Sequence, residues 1–269
     1  MLLTAGPAMT SAQTPPSGVA AITTAATDAE LRPSGAIPDD MDLETVARQN
    51  PLGLLELASR RCAADVRDYS CSFTKQERVH GRLLAEAHFE VKYRHEPQSV
   101  LMIADKPSGA KRVVFVRDAL VDRRGRQLML VEPSGWQRLL VSTAKVPLDD
   151  PRVLASSQRT IDQFGFLATL ENIVDICHQA RADANLDLEY AGAGSIDGRA
   201  TFVLVRNLPY TGPSGRYPNG RLVVHLDQEW LLPVAVRAYA DRLERELIAH
   251  YLYSNVVLNP GLGDDAFKL

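Results

Sequence analysis

Ala87-His88-Phe89-Glu90-Val91-Lys92-Tyr93 places apolar side chains at the odd positions and polar or charged ones at the even positions. An extended chain sends successive side chains to opposite faces, so this segment has one greasy side and one wet side, the pattern of a half-buried antiparallel strand. The segment before it, Tyr69-Ser70-Cys71-Ser72-Phe73-Thr74, keeps the same phase, and His80-Gly81 supplies the bend that returns one strand onto the other. Two or three consecutive strands between Tyr69 and Met102 therefore build a sheet whose apolar face needs a cover. This points to a binding-type architecture more clearly than to any chemistry.

Working outward, strand patterns recur at Val100 to Ile103, Arg112 to Val116 and Gln127 to Val131, with Asp122-Arg123-Arg124-Gly125 as a turn. The last third repeats the signal at Leu186 to Ala191, Ala200 to Leu208, Arg221 to Leu226, Pro233 to Ala240 and Leu247 to Leu258. Asp197-Gly198 and Asp227-Gln228-Glu229 read as hairpin connections. Two helices interrupt the strands. The first opens at Asn50-Pro51, a capping side chain followed by a residue that needs no donor, and carries Leu54, Leu55, Ala58, Cys62 and Val66 along one stripe. The second is marked by Phe164, Leu167, Leu170, Ile173, Val174 and Cys177, with Gly165 in its first turn. Ser134 to Arg159, which holds Pro147 and Pro151, reads as a long loop or lid.

The chain has 269 residues, 45% of them hydrophobic, enough to build a sizeable core. A formal charge of -3 gives no global field for nucleic acid or an anionic membrane. No run of eighteen apolar residues exists to form a spanning helix. Residues 1 to 27 carry no charge and are dominated by Ala, Thr, Pro, Ser and Gly, so 1–41 is expected to be a disordered leader. Its Thr10-Ser11-Ala12 could be the small-residue end of an export signal. Residues 42–269 are expected to form a single domain.

Catalytic motifs are weak. Gly192, Gly194 and Gly198 lead into a strand and not into the helix a dinucleotide loop requires. Ser214 lies in Gly212-Pro213-Ser214-Gly215, which is not a nucleophile elbow. The six histidines (80, 88, 95, 178, 225 and 250) lack the spacing of a metal site, so no metal or cofactor is expected. Arg123, Arg124 and Arg126, with Arg117 and Arg138, are diluted by Asp118 and Asp122 and lack interleaved aromatics for stacking bases. Of the carboxylates Glu77, Glu86 and Glu90, the alternation puts Glu86 and Glu90 on the wet face. Cys62, Cys71 and Cys177 form no CxxC pair; the first two, nine positions apart, are either a helix-to-strand disulfide or two buried thiols.

Tyr69-Ser70-Cys71-Ser72-Phe73-Thr74-Lys75-Gln76-Glu77-Arg78-Val79-His80-Gly81, followed by Phe89-Glu90-Val91-Lys92-Tyr93-Arg94-His95-Glu96-Pro97, resembles the bacterial family called domain of unknown function 1571, placed with the LolA/LolB-like lipoprotein carriers. The closing Tyr251-Leu252-Tyr253-Ser254-Asn255 and Leu258-Asn259-Pro260-Gly261-Leu262-Gly263-Asp264-Asp265-Ala266-Phe267 fit the same family, so the resemblance spans about residues 50 to 269. It implies an α+β fold, a strongly curved antiparallel sheet or incomplete barrel, with helices over the concave face enclosing an apolar cavity for acyl chains. In the superfamily's carriers an Arg just before the proline that ends the second strand latches the closed state. That place here holds Glu96, which departs from the pattern and makes Arg94 the candidate latch.

A curved sheet cannot press a helix flat along its whole concave face, so space remains unless large side chains fill it. Phe73, Phe89, Val91, Tyr93 and Met102 are expected to form the sheet wall of such a cavity, and Leu54, Ala58, Phe164 and Leu167 the helical wall. The expected function is a non-enzymatic envelope protein, periplasmic or otherwise exported, that binds or carries a lipid or lipoprotein acyl chain. An envelope protein partner is compatible with it. The rival expectation is a structural or protein-interaction module whose core is filled.

Overall fold

A computed structural model describes residues 42–106, 109–135 and 142–269. The leader expected at 1–41, and Arg138 of the basic cluster, lie outside these. The described strands form one antiparallel sheet of twelve, strongly curved and unclosed. They are β1 (Asp68–Val79), β2 (Arg82–Leu83), β3 (Ala87–Arg94), β4 (Ser99–Ala104), β5 (Ala110–Val116), β6 (Leu128–Pro133), β7 (Ala144–Pro147), β8 (Asp187–Ile196), β9 (Arg199–Asn207), β10 (Arg221–Asp227), β11 (Pro233–Tyr239) and β12 (Leu247–Leu258). The order is β7-β6-β5-β4-β3-β1-β12-β11-β10-β9-β8, with β2 paired to β1.

Two sequential meanders, β3 to β7 and β8 to β12, are thus joined by one seam between the longest strands. β1 meets β12 from Tyr69 opposite Leu258 to Glu77 opposite Ala249, with an irregularity between Ser70 and Ser72. The turns His80-Gly81 and Asp197-Gly198 have positive φ at both residues, the geometry that matches the right-handed twist of hairpin strands. β7 was not expected; it rises from the stretch read as loop.

Among the described residues four α-helices accompany the sheet: α1 (Leu43–Gln49), α2 (Pro51–Asp65), the short α3 (Pro151–Leu154) and α4 (Phe166–Ala182). The Asn50 side chain accepts from the Gly53 amide at 2.9 Å, the cap its position suggested. α1 and α2 lie against β8, and α4 packs on α2 and β11, so the long helices cover the C-terminal meander. Their buried stripes, Leu52, Leu54, Leu55, Ala58 and Cys62 on α2, and Phe166, Leu170, Ile173 and Cys177 on α4, meet in one core. Each fully buried leucine or phenylalanine there contributes about 1.5–3 kcal/mol. Gly165 starts α4 at φ +127, where a side chain would also come within 3.0 Å of the Tyr93 ring.

The C-terminal motif ties the ends together. Asn259, at φ +53, accepts from the Arg67 amide at 2.8 Å and donates to the Asp65 carbonyl at 2.9 Å, and the Gly261 amide donates to Asp68 at 3.0 Å. All three cysteines are buried free thiols, which settles the Cys62 and Cys71 alternative in favour of core filler. Burial first of all pushes the Cys62 thiol up to about 12, and raises Cys71 and Cys177 as well.

Asn259→Ala is expected to cost about 0.5–1.5 kcal/mol in urea unfolding, because it removes hydrogen bonds to the exposed Arg67 amide and the part-buried Asp65 carbonyl at the junction of α2 and β1. At pH 8 the native protein should resist thiol alkylation, since almost no thiolate is present and the sulfurs are enclosed; all three thiols should react in denaturant.

Candidate functional site

The long helices leave part of the concave side of β3 to β7 uncovered, towards the ends marked by Ala87, Ala104, Ala110 and Ala144, and there the structure holds a cavity of about 1080 Å³. Its floor is the inward side of β1 and β3 to β7, including Phe73, Phe89, Met102 and Val113, and its roof is the chain from Arg152 to Gly165. The hollow has a direct cause in the sequence. Ala87, Ala104, Ala110 and Ala144 line it at the outer ends of their strands, so neighbouring inward positions present a methyl where a leucine would fill the space.

Aromatic rings separate this hollow from the packed core. Phe73 lies 4.8 Å from Tyr253 and 5.0 Å, edge-on, from Phe164. Behind them Tyr69 stacks on Tyr93 at 4.8 Å and meets Phe166 at 4.6 Å, and Phe166 meets Tyr253 at 4.5 Å. Phe73, Phe164 and Tyr253 face the cavity, while Tyr69, Tyr93 and Phe166 belong to the core. Ring pairs of this kind add about 0.5–1.5 kcal/mol each beyond their burial, which helps to hold this partition together.

One polar knot interrupts the apolar lining. Glu77, its side chain only 2% exposed, accepts from Lys75 at 3.0 Å, the Ser157 hydroxyl at 3.1 Å, the Gln158 amide at 3.2 Å and the Tyr251 hydroxyl at 2.5 Å. Burial, with Glu77 beside it, pushes the Tyr251 phenol well above its ordinary range, so it stays protonated and donates. Gln158 also donates to the Arg78 carbonyl at 2.8 Å and the Ile248 carbonyl at 3.3 Å, and Gln98 to the Asp162 carbonyl at 2.8 Å. The roof is thus fastened to the sheet by hydrogen bonds at 157–162 and by the Phe164 ring at its end.

Of the expected lining residues, Phe73, Phe89, Met102 and Phe164 border the cavity. Leu54, Ala58, Val91 and Tyr93 are buried in the core under α2 and α4, and Leu167 packs against that core; none of the five borders the hollow. The two long helices settle on the other meander, so the roof is the 152–165 segment in their place. Arg94 corrects the latch expectation. Alternation with Tyr93 sends it to the opposite face, where it bonds Asp264 at 2.7 Å and Ser99 at 3.1 Å and sits 5.1 Å from the Phe267 ring. Lys75 was missed and Glu77 was considered only as a catalytic carboxylate, although the phase Tyr69, Cys71, Phe73 runs on to both; Arg159, also in the lining, sits in a stretch without periodicity. Gly192 and Gly194 lie within β8, which turns directly into β9. Among the described residues no group of three or more His, Cys, Asp or Glu could hold a metal ion, and no helix is long and apolar enough to cross a membrane.

A family model described as protein of unknown function (DUF1571) matches residues 66–269. The chain belongs to that family. Solved structures similar to this member include the MucA/MucB complex of Pseudomonas aeruginosa, with 16% identity, 81% of this chain and 59% of that chain covered, and a TM-score of 0.44. The Mycobacterium tuberculosis lipoprotein LppX matches with 12% identity, 80% and 99% coverage, and a TM-score of 0.41. The LolA superfamily protein NE2245 of Nitrosomonas europaea matches with 11% identity, 81% and 96% coverage, and a TM-score of 0.24. At these values the likenesses carry no functional argument for this DUF1571 chain, which also spans less than two thirds of the MucB chain. No curated protein matches it.

Removing the knot should free the roof without unfolding the sheet. In Glu77→Ala, amide hydrogen exchange at residues 156–158 should rise at least tenfold while β1 and β12 keep their protection; a uniform rise across the sheet would mean that Glu77 supports the whole fold.

Proposed function

We propose that this DUF1571 protein is a non-enzymatic protein of the cell envelope, periplasmic or otherwise exported, that binds or carries a lipid or a lipoprotein acyl chain in the cavity under β3 to β7. The observation that carries the reading is a largely apolar hollow of about 1080 Å³ roofed by a segment that hydrogen bonds hold in place. Small-molecule sites usually enclose about 300–1,000 Å³, so this one is large enough for a long chain. Each buried methylene contributes about 0.8 kcal/mol, so ten of them give about 8 kcal/mol, the scale of micromolar affinity before ordering costs are subtracted. Water competes poorly for such a space.

Entry and exit follow from the roof. Lifting of the 152–165 segment would widen the way in and out, and the hydrogen bonds that hold it centre on Glu77 and Gln158. The resemblance to lipoprotein carriers implies the same class of ligand. The alanine belt, which leaves the interior open, supports this reading over the rival one of a filled scaffold acting through its outer surfaces.

Delipidated protein should take up a fluorescent fatty acid at one per chain. Ala104→Trp, which puts an indole into the hollow, should weaken that uptake at least tenfold while leaving the circular dichroism unchanged. A folded wild-type sample that takes up no fatty acid would sink the proposal.

A further inference from the structure

The charges around the cavity are unequal in number and in how they are occupied. Among the described lining residues Lys75, Lys106, Arg152 and Arg159 are cationic, whereas Glu77 is the single carboxylate. Two of the cations are neutralised: Lys75 by Glu77 at 3.0 Å, and Arg152 by Asp150 through paired contacts of 2.9 Å. No described carboxylate forms an ion pair with either Arg159 or Lys106. Lys106 is exposed at the rim, where water solvates it. Arg159 is half-buried in the roof; one guanidinium nitrogen donates to the neutral Asn172 side chain at 3.1 Å, and the group stands 5.9 Å from the Tyr251 ring centre.

A guanidinium carries five N–H donors in a rigid fork suited to two oxygens of one anion. With one donor spent on Asn172, the others remain for a partner in a setting where the apolar walls weaken screening. We propose that the amphiphile taken by this cavity is anionic, with a carboxylate or phosphate head received by Arg159 and a tail lying over the alanine belt. The inference rests on the ligand-binding reading above and goes further, because an apolar hollow alone is indifferent to the sign of the head. A neutral ligand leaves the guanidinium unmatched, and a cationic one meets a surplus of like charge.

The test is displacement of the neutral dye N-phenyl-1-naphthylamine from delipidated full-length protein. The competitors are dodecanoate, dodecyl phosphate, dodecanol and dodecyltrimethylammonium, each below its aggregation concentration, with inorganic phosphate as the head without a tail. At least one anionic amphiphile should bind roughly tenfold or more tighter than dodecanol, as a charge-assisted contact supplies, and the cation should bind weakest. The order of carboxylate and phosphate identifies the head. Inorganic phosphate should leave the dye in place; displacement by it at the same concentration would make this a free-anion site and overturn the proposal. Arg159→Gln should bring the ratio of anion to alcohol towards one, Arg159→Lys should keep part of it, and Arg123→Gln at the distant hairpin tip should keep all of it. A ratio unchanged in Arg159→Gln overturns the assignment. Equal displacement by anion and alcohol from the wild type overturns the head-group inference and leaves the cavity reading standing, independently of whether the variants fold. Failure of the dye and of every twelve-carbon compound to bind overturns both.

Discussion

A strongly curved sheet of twelve strands offers more concave surface than straight helices can cover. α1, α2 and α4 settle on the C-terminal meander, where α4 reaches β11 and α1 and α2 reach β8. The other meander is left with α3 and a turn. Close packing requires side chains of matching volume, and the inward alanines at 87, 104, 110 and 144 do not supply it. The hollow is the remainder of that mismatch. Its boundary is stiff because Phe73, Phe164 and Tyr253 seal the edge of the core with ring contacts.

Two kinds of fastening divide the molecule. The seam of β1 with β12 joins the two meanders along two twelve-residue strands, and Asn259 locks its end to the helix that precedes it. That fastening is made of backbone pairing and buried side chains, which open only with the fold. The roof is held differently. Glu77, Gln158 and Gln98 reach it by hydrogen bonds, worth about 0.5–1.5 kcal/mol net between neutral groups and about 1.5–3 kcal/mol where the Glu77 carboxylate accepts. Under the proposed function the sheet is the permanent part and the roof the part that yields when a ligand enters or leaves.

Much of this was legible in order along the chain. The odd-position apolar residues of 69–73 and 87–93 fall on the concave face, and Asn50-Pro51 starts a helix as its chemistry requires. Asp197-Gly198 turns a hairpin. The same rule extends to Lys75 and Glu77, two charged residues at inward positions, so the polar knot was present in the phase. Arg94 shows alternation overriding analogy: one residue beyond inward Tyr93 it faces outward, towards Asp264 and Phe267. Leu54, Ala58 and Leu167 were rightly apolar, but an apolar stripe does not state whether it meets a sheet or an empty space.

Local chemistry thus determined most of the strands, the hairpin turns, the two long helices and which side of each is apolar, because alternation, capping and positive φ act between residues a few positions apart. Only the tertiary structure decided which half of the sheet the helices cover, that the 152–165 segment becomes the roof, and that Arg159 stands in a cavity wall beside Tyr251. Those outcomes depend on volumes brought together from distant parts of the chain, Phe73 against Phe164 and Glu77 against Ser157, and no periodicity within one segment encodes the space left between two.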